Sequence, residues 1–135
     1  MREIFFRGKG IDGNWYYGVP LVFTDDYVCM TAPHTYNKKV EPNTLGQFTG
    51  LTDKNGKKIF EGDIIAWNDG ETDTNGICFD DELFLIEFSC KEVAFVASYE
   101  VDGEERLDGL DTSYATVIGN IHDNPKLLKG GADND

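Results

Sequence analysis

Positive charge is scarce in this chain: 12 Lys/Arg stand against 25 Asp/Glu, and the formal net charge is -13. A field of that sign repels phosphate backbones, so direct nucleic-acid binding is disfavoured and a basic partner is favoured. No apolar run reaches the ~18 residues of a membrane-spanning helix, and the chain opens on the charged Arg2 and Glu3, so neither a membrane span nor a secretion signal is expected. The expected compartment is the cytoplasm. Cysteine is sparse too. Cys29, Cys78 and Cys90 form no C-x-x-C pair and no Cys/His spacing, which argues against a disulfide framework and against a zinc site. Also missing are a Walker loop, a dinucleotide fingerprint, a nucleophile elbow and a triad spacing. Gly8-Lys9-Gly10-Ile11-Asp12-Gly13-Asn14 is glycine-rich but lacks the Lys-Ser/Thr pair of a phosphate loop, so it reads as a hairpin turn. On these grounds the protein is expected to be no enzyme and to use no cofactor.

What the chain has in quantity is aromatic residues, 13% of the total, and 15 glycines. That mixture suits short strands joined by tight turns. The length fits one domain that buries a core without cross-links. Residues 47–68 carry the strongest local signals. Asp53-Lys54-Asn55-Gly56 predicts a hairpin with Asn55 and Gly56 in both left-handed positions of a type I′ turn. Glu61-Gly62-Asp63 predicts a second turn. Ile64, Ile65, Ala66 and Trp67 in succession predict a strand covered on both faces. Upstream, residues 1–20 predict a hairpin turned at the glycines, and residues 21–37 predict one strand near 27–31 with loop around it. Downstream, residues 83–89 and 93–101 predict a hairpin turned at 89–92, Leu107 and Leu110 a helical turn, and residues 114–121 a closing strand. Asn124-Pro125 predicts an N-cap with proline at the first helical position, before Leu127 and Leu128. Strands apolar on both faces need cover on both, which a small closed barrel or a sandwich supplies. Residues 129–135 are expected to be disordered.

Several of these segments together resemble one family. Thr49-Gly50-Leu51, Asp53-Lys54-Asn55-Gly56-Lys57-Lys58-Ile59 and Glu61-Gly62-Asp63-Ile64 are similar to the YopX family of temperate phages, prophages and conjugative elements. So are Val117-Ile118-Gly119-Asn120-Ile121-His122, Asn124-Pro125, Leu127-Leu128, and the opening Met1-Arg2-Glu3-Ile4 with Phe6-Arg7. The resemblance implies a mainly β protein: antiparallel strands in a small SH3-like barrel, here with an N-terminal hairpin extension and one or two short helical turns. It also implies a single domain over residues 1–128, followed by the tail. It carries over no catalytic residue.

The charge is unevenly placed. Residues 1–59 hold 8 Lys/Arg against 6 Asp/Glu, whereas residues 60–120 hold 2 against 16. The plain account is a solvated surface that keeps the protein soluble. The sharper one is an acidic decoy that mimics nucleic acid and binds a basic host protein. The leading expectation is a non-enzymatic module that binds a peptide or protein partner through an aromatic groove, with Trp15, Tyr16, Tyr17 and Trp67 as candidates. Self-association through a strand edge stays open.

Other constellations point less far. Glu71-x-Asp73-x-Asn75-Gly76-x5-Glu82 follows the ligand order of a calcium loop. Glu in place of Asp at the first position, and no helical pattern on either side, favour an acidic hairpin loop, so no metal is expected. Lys38, Lys39, Lys54, Lys57 and Lys58 form the one basic group, with phosphate contact as its alternative to solubility. His34 has no ligand partner at a useful spacing, and His122-Asp123 alone makes no metal pair. Glu104-Glu105 are sequence neighbours that point apart on a strand, unlike a catalytic carboxylate pair.

Overall fold

A computed structural model describes residues 5–32, 35–89, 94–98, 104–106 and 111–128. Residues 1–4, His34, Cys90, most of the expected turn at 89–92, the helical turn around Leu107 and Leu110, and the tail 129–135 lie outside the described residues. The chain divides into two compact units, Met1–Gly50 and Leu51–Asp135.

The first unit is an antiparallel sheet. Its strands are β1 (Phe6–Lys9), β2 (Trp15–Phe23), β3 (Val28–Ala32), β4 (Thr35–Val40) and the leading part of β5 (Gly46–Thr52), in the order β4-β3-β2-β1-β5. The expected first hairpin forms with Phe6 opposite Gly18 and Lys9 opposite Trp15. Val28, Met30 and Val40 are buried at its core, with Phe6, Tyr16 and Leu45 packed against them. Gly8 is set by that packing. A Cβ there would lie 2.5 Å from Val40 Cγ2, so only glycine lets the sheet and the valine meet. β4 corrects the expected loop over residues 21–37. Its Asn and Lys residues have little strand preference, but pairing with β3 supplies the hydrogen bonds that local sequence does not.

The second unit holds the hairpin of β5 with β6 (Lys58–Phe60) and a five-stranded antiparallel sheet. That sheet comprises β7 (Asp63–Trp67), β8 (Glu82–Ser89), β9 (Ala94–Ser98), β10 (Glu104–Arg106) and β11 (Ala115–Asn120), in the order β10-β9-β8-β7-β11. β7 lies between β8 and β11, and Asp63, Ile64 and Ile65 are all buried, as the unbroken apolar run predicts. Ile59, Ile65, Phe84, Ile86, Phe95 and Ala115 form the core cluster. Helix is confined, among the described residues, to 3-10 turns at Pro42–Thr44, Thr112–Tyr114 and Pro125–Leu128. None of the described helices is long and apolar enough to cross a membrane.

The protein is therefore mainly β and antiparallel, but the described sheets are open rather than closed into the expected small barrel. Part of the reason lies at β11, an edge strand whose outer side is taken by a turn. Lys54 N–H donates to Ala115 C=O at 2.9 Å, and Val117 N–H donates to Asp53 Oδ2 at 2.9 Å. The turn itself differs from the type I′ expectation. Gly56 N–H donates to Asp53 C=O (3.0 Å) and Asp53 N–H to Lys57 C=O (2.8 Å), so Lys54 and Asn55 are the central residues. Gly56 follows them at φ +83°, giving a three-residue loop closed by a left-handed glycine. The expected helical turn starts at Pro125 directly after Asn124, whose C=O accepts the Leu127 N–H at 3.1 Å, but the Asn124 side chain bonds elsewhere. Asn124 Oδ1 accepts the Asn120 N–H at 3.2 Å, and a Cβ on Gly119 would lie 2.5 Å from that oxygen.

Candidate functional site

A recess lies in the second unit, where β7 leaves the sheet and the chain loops back to begin β8. Trp67 ends β7 opposite Glu82 and Ala115. Its indole N–H donates to Asp111 C=O at 2.9 Å, and its ring meets Tyr114 edge-on at 5.8 Å between centroids. Asp111 in turn caps the 3-10 turn of Thr112–Tyr114 by accepting the N–H and hydroxyl of Ser113. Those two donors, the hydroxyl first, hold the Asp111 carboxyl below its usual range. The tryptophan is thus fixed from two sides by a segment 44 residues away.

Asn68 builds the opposite wall. Its Nδ2 donates to Phe79 C=O and to Asp81 Oδ1, both at 2.9 Å, and its Oδ1 accepts the Gly70 N–H at 2.8 Å. Gly70 sits at φ +80°, which lets the chain turn away from the strand. The intervening hairpin is closed by a bridge between Thr72 and Cys78. At its tip, Asp73 N–H donates to Ile77 C=O (2.9 Å) and Gly76 N–H to Asp73 C=O (3.0 Å), with Gly76 at φ +80°. This repeats the Asp53 turn bond for bond.

Between Trp67 and Phe79 lies an open cleft of about 630 Å³. Phe79 remains 58% exposed beside it. The other lining side chains besides Asn68 are the carboxylates of Asp69, Glu71, Asp80, Asp81 and Glu82, and among the described residues no basic side chain lines it. A recess with aromatic walls and a carboxylate rim is chemically suited to a cation with an apolar stem, such as a Lys or Arg side chain.

The predicted calcium ligands are divided by this geometry. Glu71 and Glu82 line the cleft. Asp73 Oδ1 instead accepts the N–H groups of Asn75 and Ile77, at 2.8 and 3.0 Å, at the exposed hairpin tip. No group of three His, Cys, Asp or Glu among the described residues is placed to hold a metal ion. The ligand order in the sequence is also the order of a hairpin turn stapled by its first aspartate.

The other aromatic candidates belong to the first unit. Trp15 and Tyr17 share one face of β2 and Tyr16 the other, so the three rings do not line a common surface. The Arg7 guanidinium stands 4.8 Å from the Trp15 ring, Tyr17 stacks on Phe5, and Tyr16 packs on the core. The Tyr16 hydroxyl donates to the Asp12 carboxylate. That bond lowers the Asp12 carboxyl and raises the Tyr16 hydroxyl from their ordinary values. Trp67 lies in the second unit and alone of the four lines the cleft. The basic candidates are divided in the same way. Lys38 and Lys39 stand over the Tyr16 and Tyr27 rings of the first unit, while Lys54, Lys57 and Lys58 belong to the Asp53 hairpin of the second. Glu104 and Glu105 lie on β10, and His122 is exposed in the turn after β11.

Asn68, Phe79, Asp80 and Asp81 are functional candidates that the sequence pattern did not single out. The available signal was the apolar Ile77-Cys78-Phe79 set inside an acidic segment, where an exposed phenylalanine has no core to fill. No curated protein matches the chain. A solved structure, protein EF1440 from Enterococcus faecalis, is similar at 25% identity and a TM-score of 0.57, covering 95% of this chain and 99% of that one. The family model described as YopX protein matches residues 6–129, and the chain therefore belongs to the YopX family.

Proposed function

We propose that this protein is a non-enzymatic binding module whose cleft between Trp67 and Phe79 receives a basic segment of a protein partner. The observation that carries the reading is the combination, among the described residues, of two rings with five carboxylates and no opposing base in one recess. A lysine or arginine stem packs on the rings while its head meets the carboxylates, and neighbouring basic residues find the same field outside the cleft. The site is largely preorganised, because Trp67 and Asn68 already spend their polar groups on backbone and neighbouring side chains. The phage or mobile-element setting implied by the family resemblance suits a protein that acts by engaging another protein.

The test is titration of a Lys/Arg-rich peptide into the full chain by calorimetry. Binding is expected at low salt, with affinity falling steeply as salt rises. The double substitution Asp80→Asn with Asp81→Asn is expected to weaken it roughly tenfold while leaving the unfolding midpoint in place. An unaltered affinity in that variant, or no binding at low salt, would refute the reading.

A second reading has its own support. Residues 51–135 hold 20 Asp/Glu against 7 Lys/Arg, whereas residues 1–50 hold 5 of each. An acidic body of that kind suits a decoy occupying the nucleic-acid site of a basic host protein. Capture of a nucleic-acid-binding protein that competing duplex DNA displaces, and that the cleft substitutions leave bound, would favour the decoy.

A further inference from the structure

Three hairpin turns in this protein share one hydrogen-bond pattern. Gly13 N–H donates to Gly10 C=O at 2.9 Å, and Gly56 and Gly76 donate to Asp53 and Asp73 C=O, each at 3.0 Å. All three glycines have positive φ, +86°, +83° and +80°. The residues just before them are Asp12, Asn55 and Asn75. An asparagine followed by glycine is prone to a particular reaction, because a residue without a Cβ leaves its backbone nitrogen open to approach the preceding side-chain amide.

We propose that Asn75 is a site of spontaneous deamidation in the folded protein, and that Asn55, in a turn of the same construction, is protected by its docking on β11. In the reaction the Gly76 nitrogen bonds to Asn75 Cγ, and the Cγ–NH2 bond breaks. The amide group leaves as ammonia, carrying the hydrogen from the Gly76 N–H. Water then opens the succinimide ring at either carbonyl, leaving an aspartyl or an isoaspartyl linkage. Water is the only co-reactant. Asp12, at the equivalent place in the first turn, has no amide to lose.

The two asparagines differ in what must open before the nitrogen is free. In both turns the glycine N–H has to leave the aspartate carbonyl. At residues 53–57, opening also threatens the bond from Lys54 N–H to Ala115 C=O and that from Val117 N–H to Asp53 Oδ2, and it exposes the buried Asp53. At residues 73–77 the corresponding bonds of Asp73 stay within the turn; the asparagine and glycine are exposed in both turns, so the docking bonds and the burial of Asp53 make the difference. Local opening follows the bonds and burial that it forfeits, so the undocked turn opens more often. Conversion places a further carboxylate, and in the isoaspartyl product also a backbone lengthened by one carbon, at the tip of the hairpin whose base walls the acidic cleft.

The experiment is incubation of the folded full chain at physiological temperature and mildly alkaline pH, with peptide mapping by mass spectrometry. Asn75 is expected to gain the amide-to-acid mass change roughly tenfold or more faster than Asn55, while the two react at matched rates in denaturant. Equal rates in the folded chain, faster reaction at Asn55, or no conversion of Asn75 while the denatured chain reacts would overturn the proposal. Asp53→Ala is expected to speed Asn55 towards the Asn75 rate. A folded Asp53→Ala protein with unchanged Asn55 would overturn the protective role of the docking.

Discussion

The turns at residues 53–57 and 73–77 are built from the same letters, Asp-x-Asn-Gly, and fold into the same hydrogen-bonded loop. In both, the aspartate Oδ1 accepts the N–H groups two and four residues on, at distances between 2.8 and 3.0 Å. What separates them is the second carboxylate oxygen. Asp53 Oδ2 reaches across 64 residues of sequence to the Val117 N–H and fastens its hairpin to the edge of β11. Asp73 staples its own loop at an exposed hairpin tip. One motif therefore serves as an edge-strand cover in one place and as the exposed tip of a hairpin in the other, and only the tertiary partner distinguishes them.

The largest expected effect comes from breaking that clamp. Asp53→Ala removes the acceptor for three backbone N–H groups at a site only 6% exposed. It should cost about 3 kcal/mol of unfolding free energy, against about 0.5–1 kcal/mol for Asp73→Ala. Denaturant midpoints measure both, and equal losses would erase the distinction between the turns.

Acid should expose the same clamp. Burial pushes the Asp53 carboxyl up, but the N–H groups of Val117, Lys57 and Asn55, with the Lys57 charge, together bring it below the ordinary carboxylate value. A depressed folded pKa gives a stabilisation fully present above the unfolded pKa and lost as pH falls through the folded one. Unfolding followed from neutral to strongly acidic pH should show that loss in the natural chain, and Asp53→Asn should flatten its share. An unchanged acid slope in the variant would show that the carboxylate is not the titrating element.

An effect smaller than loss of the Asp53 clamp tests the shared geometry. A Cβ at Gly56 or Gly76 meets nothing within 4 Å, so only the left-handed backbone resists alanine there. Gly56→Ala and Gly76→Ala should each cost about 1–2 kcal/mol if the turn conformation is retained. A clear inequality would mean that docking has altered one turn beyond its hydrogen bonds.

Much of the strand pattern was legible from the residues. The run Ile64-Ile65-Ala66-Trp67 announced an interior strand, and residues 83–89 form the expected strand, though with Phe84 and Ile86 buried and Phe88 exposed it lacks the expected cover on both faces. β4 was missed because Asn37, Lys38 and Lys39 carry no strand signal of their own. The type I′ expectation misplaced the turn by one residue, since Asn-Gly suits two hairpin forms and pairing between Asp53 and Lys57 selects the longer. The cleft was half visible: Trp67, Glu71 and Glu82 were singled out, but under separate headings of aromatic groove and calcium loop. Asn68, which joins the two walls, has no distinguishing mark in the sequence.

By itself the sequence determined the strand class, the turn positions, the concentration of negative charge beyond residue 60 and the family. The first three follow from composition, alternation and glycine placement, which act within a few residues, and the family from the resemblance of the motifs spread between Met1 and Leu128. The tertiary structure decided that the described sheets stay open, that one Asp-x-Asn-Gly turn docks on β11 while its twin stays at an exposed hairpin tip, and that Trp67 shares a recess with carboxylates as far along the chain as Glu82. Each depends on a hydrogen bond or contact between distant segments, and no local preference of the chain encodes its partner.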